Sequence, residues 1–263
     1  MNLEKICGQT CKLTYKVGDF IRGEANKITA DAIKTKGVHD FVTYVDRASE
    51  ERIVKELHKI LPEAGFVTEE KTCTTKGKHY TWIVDPLDGT TNFIHSIPCY
   101  CISIALMRDD CLVMGVVYEI NLKECFYAWE GSKAYMNGKE IHVSGINRID
   151  DSLFVTGFPY QDYSRLDKYL ELFKYFMKYS HGVRRFGSAA ADLAYVACGR
   201  VEGFFEYGLS PWDVAAGAFI VRQAGGKVSD FNGGDDFIYG KEVIAGGSAV
   251  FNEFLSVVRK YLD

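Results

Sequence analysis

The stretch WIVDPLDGTTNF, Trp82 to Phe93, constrains this chain more than any other part of it. An apolar run reads as a buried strand, and it ends in Asp85. Pro86 turns the chain, and Asp88 follows three residues after the first acid. A capped turn, in which an aspartate accepts backbone amide hydrogens, accounts for one of these acids. It accounts poorly for two around a proline at the end of a buried strand. The following Gly89-Thr90-Thr91-Asn92 supplies a glycine and small side chains, where backbone amides can turn toward an anion.

Three more acidic segments accompany it. FVTEE carries Glu69 and Glu70 after a strand-like stretch, FFEYG carries Glu206, and PWDVAAG places Asp213 directly before a helix. Taken singly, these are a solvated loop, a strand-end acid and an N-cap. Taken together, several carboxylates facing one cleft cannot all stay ionised unless something positive sits among them. Oxygen ligands without His or Cys select Mg²⁺, Mn²⁺ or Ca²⁺. Acids would also repel a phosphate unless metals invert the local field, so the pattern points to metal-assisted phosphate chemistry. Competing readings are weak: no GxSxG occurs, and the six histidines show no ligand-pair spacing. His95 reads as a packed or hydrogen-bonding residue.

Composition narrows the rest. With 263 residues, 47% hydrophobic and 25% charged, one domain spanning 1–263 is expected, with two lobes at about 1–145 and 146–263. A formal net charge of −4 excludes nucleic-acid binding by bulk charge, and Arg184-Arg185 is the longest basic cluster. No apolar run approaches the roughly 18 residues of a membrane span, and the first residues lack a signal-peptide core. A cytoplasmic protein is expected, with its eight cysteines reduced. Without a CxxC, a structural zinc site is not.

Periodicity predicts a helix from Leu3 to about Lys34, broken near Gly18-Asp19, and others over Asp46–Leu61, Leu166–Met177, Ala189–Cys198, Val214–Ala224 and from Phe251 onward. Strand-like runs fall at Tyr80–Val84, Cys101–Met107, Leu112–Tyr118 and Cys125–Ala128. Helices and clustered strands alternate irregularly, so an α+β chain of layered sheets and helices is expected rather than a regular βαβ series.

FVTEE, WIVDPLDGTTNF and PWDVAAGAFIVRQAGG resemble the signatures of the inositol monophosphatase family, within the fructose-bisphosphatase-like superfamily. The run from Arg184 to Gly234 is especially similar to bacterial inositol-1-monophosphatases. The resemblance implies a layered αβαβα sandwich, usually a homodimer, that hydrolyses small phosphate monoesters with Mg²⁺. It implies that Glu69, Asp85 and the Leu87 carbonyl hold one metal and that Asp85, Asp88 and Asp213 hold a second. A loosely bound third would also touch Glu69. By the same resemblance Thr90 and Asp46, from HDFVTYVD, orient the attacking water, and the amides of Gly89 and Thr90 contact the phosphate. Glu206 and the turn Gly187-Ser188-Ala189 contact the alcohol portion, taken as inositol, and Glu70 supports the site. Many relatives carry a lysine before the Asp46 motif, but here the gapless match falls on Thr35, so Lys34 and Lys36 stay outside the site.

Phosphatases of 3′-phosphoadenosine 5′-phosphate, NADP or fructose 1,6-bisphosphate are the alternatives. A nucleotide would want an aromatic platform, for which Phe158, Tyr160 and Tyr163 are available; a bisphosphate would want a second cationic site, for which Arg184 and Arg185 are. A non-catalytic binding protein is the reading from another class, and the presence of every motif acid weighs against it.

Overall fold

The computed structural model describes residues 1–25, 27–28, 34–37, 40–73, 75, 77–159 and 162–262, with backbone alone for 34–37, 40 and 41. In chain order its elements are α1 (Leu3–Glu24), β1 (Lys34–Gly37), β2 (Asp40–Val42), α2 (Tyr44–Ile60), β3 (Gly65–Thr68), β4 (Tyr80–Asp88) and α3 (Thr90–Ile94). There follow β5 (Cys101–Arg108), β6 (Cys111–Glu119), β7 (Glu124–Trp129), β8 (Ala134–Met136), β9 (Lys139–Ile141), β10 (Leu153–Thr156) and α4 (Leu166–Tyr179). The last are β11 (Gly182–Arg184), α5 (Ala189–Ala197), β12 (Gly203–Tyr207), α6 (Pro211–Gln223), β13 (Lys227–Ser229), β14 (Glu242–Gly246) and α7 (Phe251–Leu262).

Seven strands form one sheet in the order β3-β4-β5-β6-β7-β8-β9, with β3 and β4 parallel. Five form a second in the order β11-β10-β12-β14-β13, in which β10 runs parallel to both of its neighbours. Helices α1 and α2 pack on one face of the first sheet, α5 and α6 lie between the two sheets, and α4 and α7 cover the outer face of the second. The result is an α+β fold, layered αβαβα. Three apolar clusters fill the four gaps between helix layers and sheets, the one around α5 and α6 reaching both sheets.

Residue pattern explains the placement. Helix α1 buries Ile6, Leu13, Val17 and Ile21 on one side and leaves its other face wet. Helices α5 and α6 have sheets on two sides, and their sequences are correspondingly apolar all round; every residue of α5 is buried.

The structure departs from the sequence-based expectations in several places. Helix α1 runs through Gly18 without a break, because that glycine is a point of close approach: a Cβ there would strike the Tyr118 ring of β6. The helix ends at Glu24, well short of Lys34, and the Lys34 and Lys36 side chains lie outside the described residues. Strand β4 does not end at Asp85 but continues to Asp88, with an irregularity between those two residues in its pairing to β5. Pro86 has no N–H to give the ladder, so it interrupts pairing without ending the strand. Strands β10, β11, β13 and β14 carry no sequence signal, being only three to five residues long. No described helix is long and apolar enough to cross a membrane. All eight cysteines are free, and Cys7, Cys11, Cys99, Cys101 and Cys125 are buried.

Candidate active site

Strand β4 delivers Asp85 and Asp88, and the first turn of α6 delivers Asp213. Carboxylate oxygens of these three lie within 4.8 Å of one another. Each acid is also held by the protein through one oxygen. Asp85 Oδ1 accepts the Leu87 amide at 2.9 Å. Asp88 Oδ2 accepts the Ser188 hydroxyl and the Ala190 amide, both at 2.7 Å. Asp213 Oδ2 accepts the Ser210 amide at 2.7 Å. Asp213 is therefore not the N-cap; Ser210 is, with Pro211 opening the helix and Asp213 reaching back from its third position.

Burial and mutual repulsion dominate the electrostatics of this group. Burial, followed by the charges of Glu69, Asp88 and Asp213, pushes Asp85 well above the usual carboxylate range. Burial pushes Asp88 up to about 6, although the Ala190 amide, the Ser188 hydroxyl and Arg185 all favour its ionised form. Three converging carboxylates with no His or Cys among them fit a hard divalent cation, which would balance their charge. Glu69 lines the same cavity and acts on Asp85, but it is not one of the three whose oxygens converge.

Asp46 sits at the third position of α2, where its Oδ2 accepts the amide and hydroxyl of Thr43 at 2.8 and 2.7 Å. Its Oδ1 lies 2.9 Å from the Thr90 hydroxyl, which is also 3.0 Å from the Leu87 carbonyl. One carboxylate thus serves a helix cap and a site threonine together. Burial raises the Asp46 pKa, and the bonds from Thr43 and Thr90 oppose the rise.

A cavity of about 500 Å³ opens beside these residues. Thr90 lines it, as do the motif residues Gly89, Gly187, Ser188, Ala189 and Glu206. Gly89 holds a left-handed φ of 95° as it enters α3, a conformation that favours glycine. The Ser188 hydroxyl donates to Asp88 and accepts from the Ala191 amide of its own helix, so this cavity-lining residue also positions a carboxylate. Glu70 lies elsewhere: its amide donates to Glu50, and its carboxylate is 3.7 Å from Arg47 in a separate groove. His95 is exposed at the end of α3. Of the two arginines only Arg185 lines the cavity, with its guanidinium 5.5 Å from the Phe158 ring centre. Tyr163 is exposed, and Tyr160 lies outside the described residues.

Sequence reasoning missed three residues that shape the site. Ser103 pairs opposite Asp85 in the sheet, and its hydroxyl donates to the Trp212 carbonyl at 3.0 Å, which ties the start of α6 to β5 beside Asp85. Asn92 donates to the carbonyls of Cys99 (2.8 Å) and Phe186 (2.6 Å), clipping α3 to the turn before Gly187. The third is Asp192 on α5, which also lines the cavity. A usable signal existed for two of them: Ser103 and Asp192 are each a polar residue inside a run that is otherwise apolar.

Known proteins share the sequence pattern and the fold. The model of the inositol monophosphatase family matches residues 2–262. The chain belongs to the inositol monophosphatase family. Among the relatives of this family member, the Nus factor SuhB of Pseudomonas aeruginosa is 40% identical over 93% of this chain and 92% of its own length. The inositol-1-monophosphatase of Mesorhizobium japonicum is also 40% identical, over 94% of each. A crystal structure of extragenic suppressor protein suhB from Bartonella henselae superposes with a TM-score of 0.91 and 37% identity, covering 97% of this chain and 99% of that one.

Proposed function

We propose that this inositol monophosphatase family member is a Mg²⁺-dependent phosphate monoester hydrolase whose substrate is myo-inositol 1-phosphate. The observation that carries the reading is the convergence of Asp85, Asp88 and Asp213 beside the Thr90–Asp46 pair. In this reading Glu69, Asp85 and the Leu87 carbonyl hold one cation, and Asp85, Asp88 and Asp213 hold another. Bound divalent cations supply Lewis-acid charge and a water that ionises near neutral pH.

The chain's own groups do the rest. Thr90 Oγ accepts a proton from the attacking water while its own hydroxyl proton faces Asp46 Oδ1 at 2.9 Å. Asp46 is suited to take that proton because its burial already favours the neutral acid. The amides of Gly89 and Thr90 hold the phosphate oxygens, where fixed dipoles stabilise developing charge. Ala189 and Gly187 border the alcohol portion, and Glu206 accepts from its hydroxyls. The name of the Mesorhizobium relative supports inositol 1-phosphate as substrate, and the acidic wall at Glu206 disfavours a second phosphate. We place the protein in the cytoplasm, in line with eight unbridged cysteines, and as the homodimer that the family resemblance implies.

The test is phosphate release from inositol 1-phosphate, 3′-phosphoadenosine 5′-phosphate, NADP and fructose 1,6-bisphosphate, with Mg²⁺ and with EDTA. Metal-dependent release, fastest from inositol 1-phosphate, is expected. Inertness toward all four would remove the catalytic reading and leave that of a non-catalytic regulatory binding protein, beside a Pseudomonas relative named a Nus factor.

A further inference from the structure

Helix α5 contains nine residues, all buried, and Asp192 is the one ionisable side chain among Ala189-Ala190-Ala191-Asp192-Leu193-Ala194-Tyr195-Val196-Ala197 that is not a phenol. An acid in such a helix works against folding unless it is used, because burial removes its hydration. Its residue is 1% exposed, and its Oδ1 meets no hydrogen-bond partner among the described residues. Asp192 nonetheless lines the cavity of about 500 Å³.

Placement says what it faces. Asp192 stands four residues after Ser188, so the two share a face of the helix, one turn apart. Ser188 holds Asp88; Asp192 therefore lies one turn farther along the same face than the contact to the converging acids. Across from it, on β12, is Glu206, whose carboxylate lies against Gly157 so closely that a Cβ there would collide with it. Charges facing Asp192 are Glu206 and Asp88, which oppose its ionisation, and Arg185, which favours it. Glu206 feels Asp213, Arg185 and Asp88 in the same senses. A third metal ligand set is not the explanation, since the converging oxygens belong to Asp85, Asp88 and Asp213. A cationic ligand group would meet Arg185. Neutral hydroxyl donors at the cavity side of Asp192 would meet a carboxyl whose buried Oδ1 has no described donor.

We propose that Asp192 is a specificity-determining residue: with Glu206 it accepts hydrogen bonds from ring hydroxyls of a polyol phosphate and so selects polyols over alcohols that lack them. The inference rests on the phosphatase reading above and deepens it. A site built to bond a hydroxyl discriminates strongly against a ligand without one, since the buried acceptor is then left unpaired.

The experiment compares kcat/KM for myo-inositol 1-phosphate with that for p-nitrophenyl phosphate, both with Mg²⁺, in wild type, Asp192→Ala and Asp192→Asn. The ratio of the two is expected to fall by about 10-fold or more in Asp192→Ala. Asp192→Asn keeps one acceptor oxygen and is expected to lower the ratio by less. General damage to packing or to metal binding lowers both rates and leaves the ratio in place, so an unchanged ratio in either folded variant overturns the inference. A wild-type protein that cleaves p-nitrophenyl phosphate but not inositol 1-phosphate overturns it while the phosphatase reading stands. A wild-type protein inert on both overturns that reading, and this one with it.

Discussion

Two groups of acids share one cavity and are held in opposite ways. At the β4 end, Asp85, Asp88 and Asp213 each have one oxygen bonded to a backbone amide, and Asp88 has a hydroxyl besides. Those bonds fix the carboxylates and favour their charged forms, so what opposes them is mutual repulsion and burial. At the wall between α5 and β12, Asp192 of α5 has an oxygen with no described donor, and Arg185 is the cation that favours its charge. The first arrangement is preorganised for an ion that cancels charge; the second suits neutral donors. Hydrogen bonding from the protein therefore distinguishes a metal cage from a hydroxyl-reading wall, even where the residue types are the same.

The comparison is most open to attack through the cage. Asp213→Asn removes one converging charge, and metal-dependent phosphate release is expected to fall by about 10²-fold or more, while circular dichroism shows a folded protein. Retained activity would mean the three acids are not a working set. Thr90→Val deletes the hydroxyl between Asp46 and the cavity and is expected to cost about 10- to 100-fold in kcat, with little change in KM.

A third measurement contrasts the wall with the cage through pH. Burial raises the pKa of Asp192 in the folded protein, so the native state holds its proton more tightly than the unfolded chain does. That stability is complete at pH below the ordinary carboxylate range and is lost as pH rises through the raised value. In EDTA, the melting temperature of Asp192→Asn should therefore gain on that of wild type as pH rises from about 4 toward neutrality. A difference that is flat with pH would show the carboxyl to be satisfied. The smallest effect belongs to Thr43→Ala. It removes a cap from α2 and one of two Thr43 donors to Asp46, and it should cost about 1 kcal/mol in denaturant unfolding.

Much of this was legible in the residues. The order of the helices, the strands β5 to β7 and the motif acids follow from periodicity and from acid clusters at the ends of apolar runs. The short strands of the second sheet were not legible, because a three-residue strand buried by its neighbours has no period to read. Gly18 looked like a helix breaker because glycine serves both as a breaker and as a gap for a neighbouring side chain; only the Tyr118 ring decides between the two. Asp213 looked like an N-cap for a related reason: an acid near a helix start is favourable at several positions of the first turn, and the amide of Ser210 shows which it occupies.

By itself the sequence determined which atoms were available: carboxylates on strand ends and helix starts, a glycine-threonine turn, and helices apolar enough to lie between sheets. Tertiary structure decided which of those carboxylates face each other and which stand alone. Asp85 and Asp213 are 128 residues apart in the chain and meet because α6 packs across β4, β5 and β6, where Ser103 hydrogen-bonds its first turn. Asp192 was hidden in an apolar helix and acquired meaning only when the fold left its buried Oδ1 without a described donor and brought the residue against a cavity. The physical reason is that desolvation and charge repulsion act between groups in space, and chain distance carries almost none of that information.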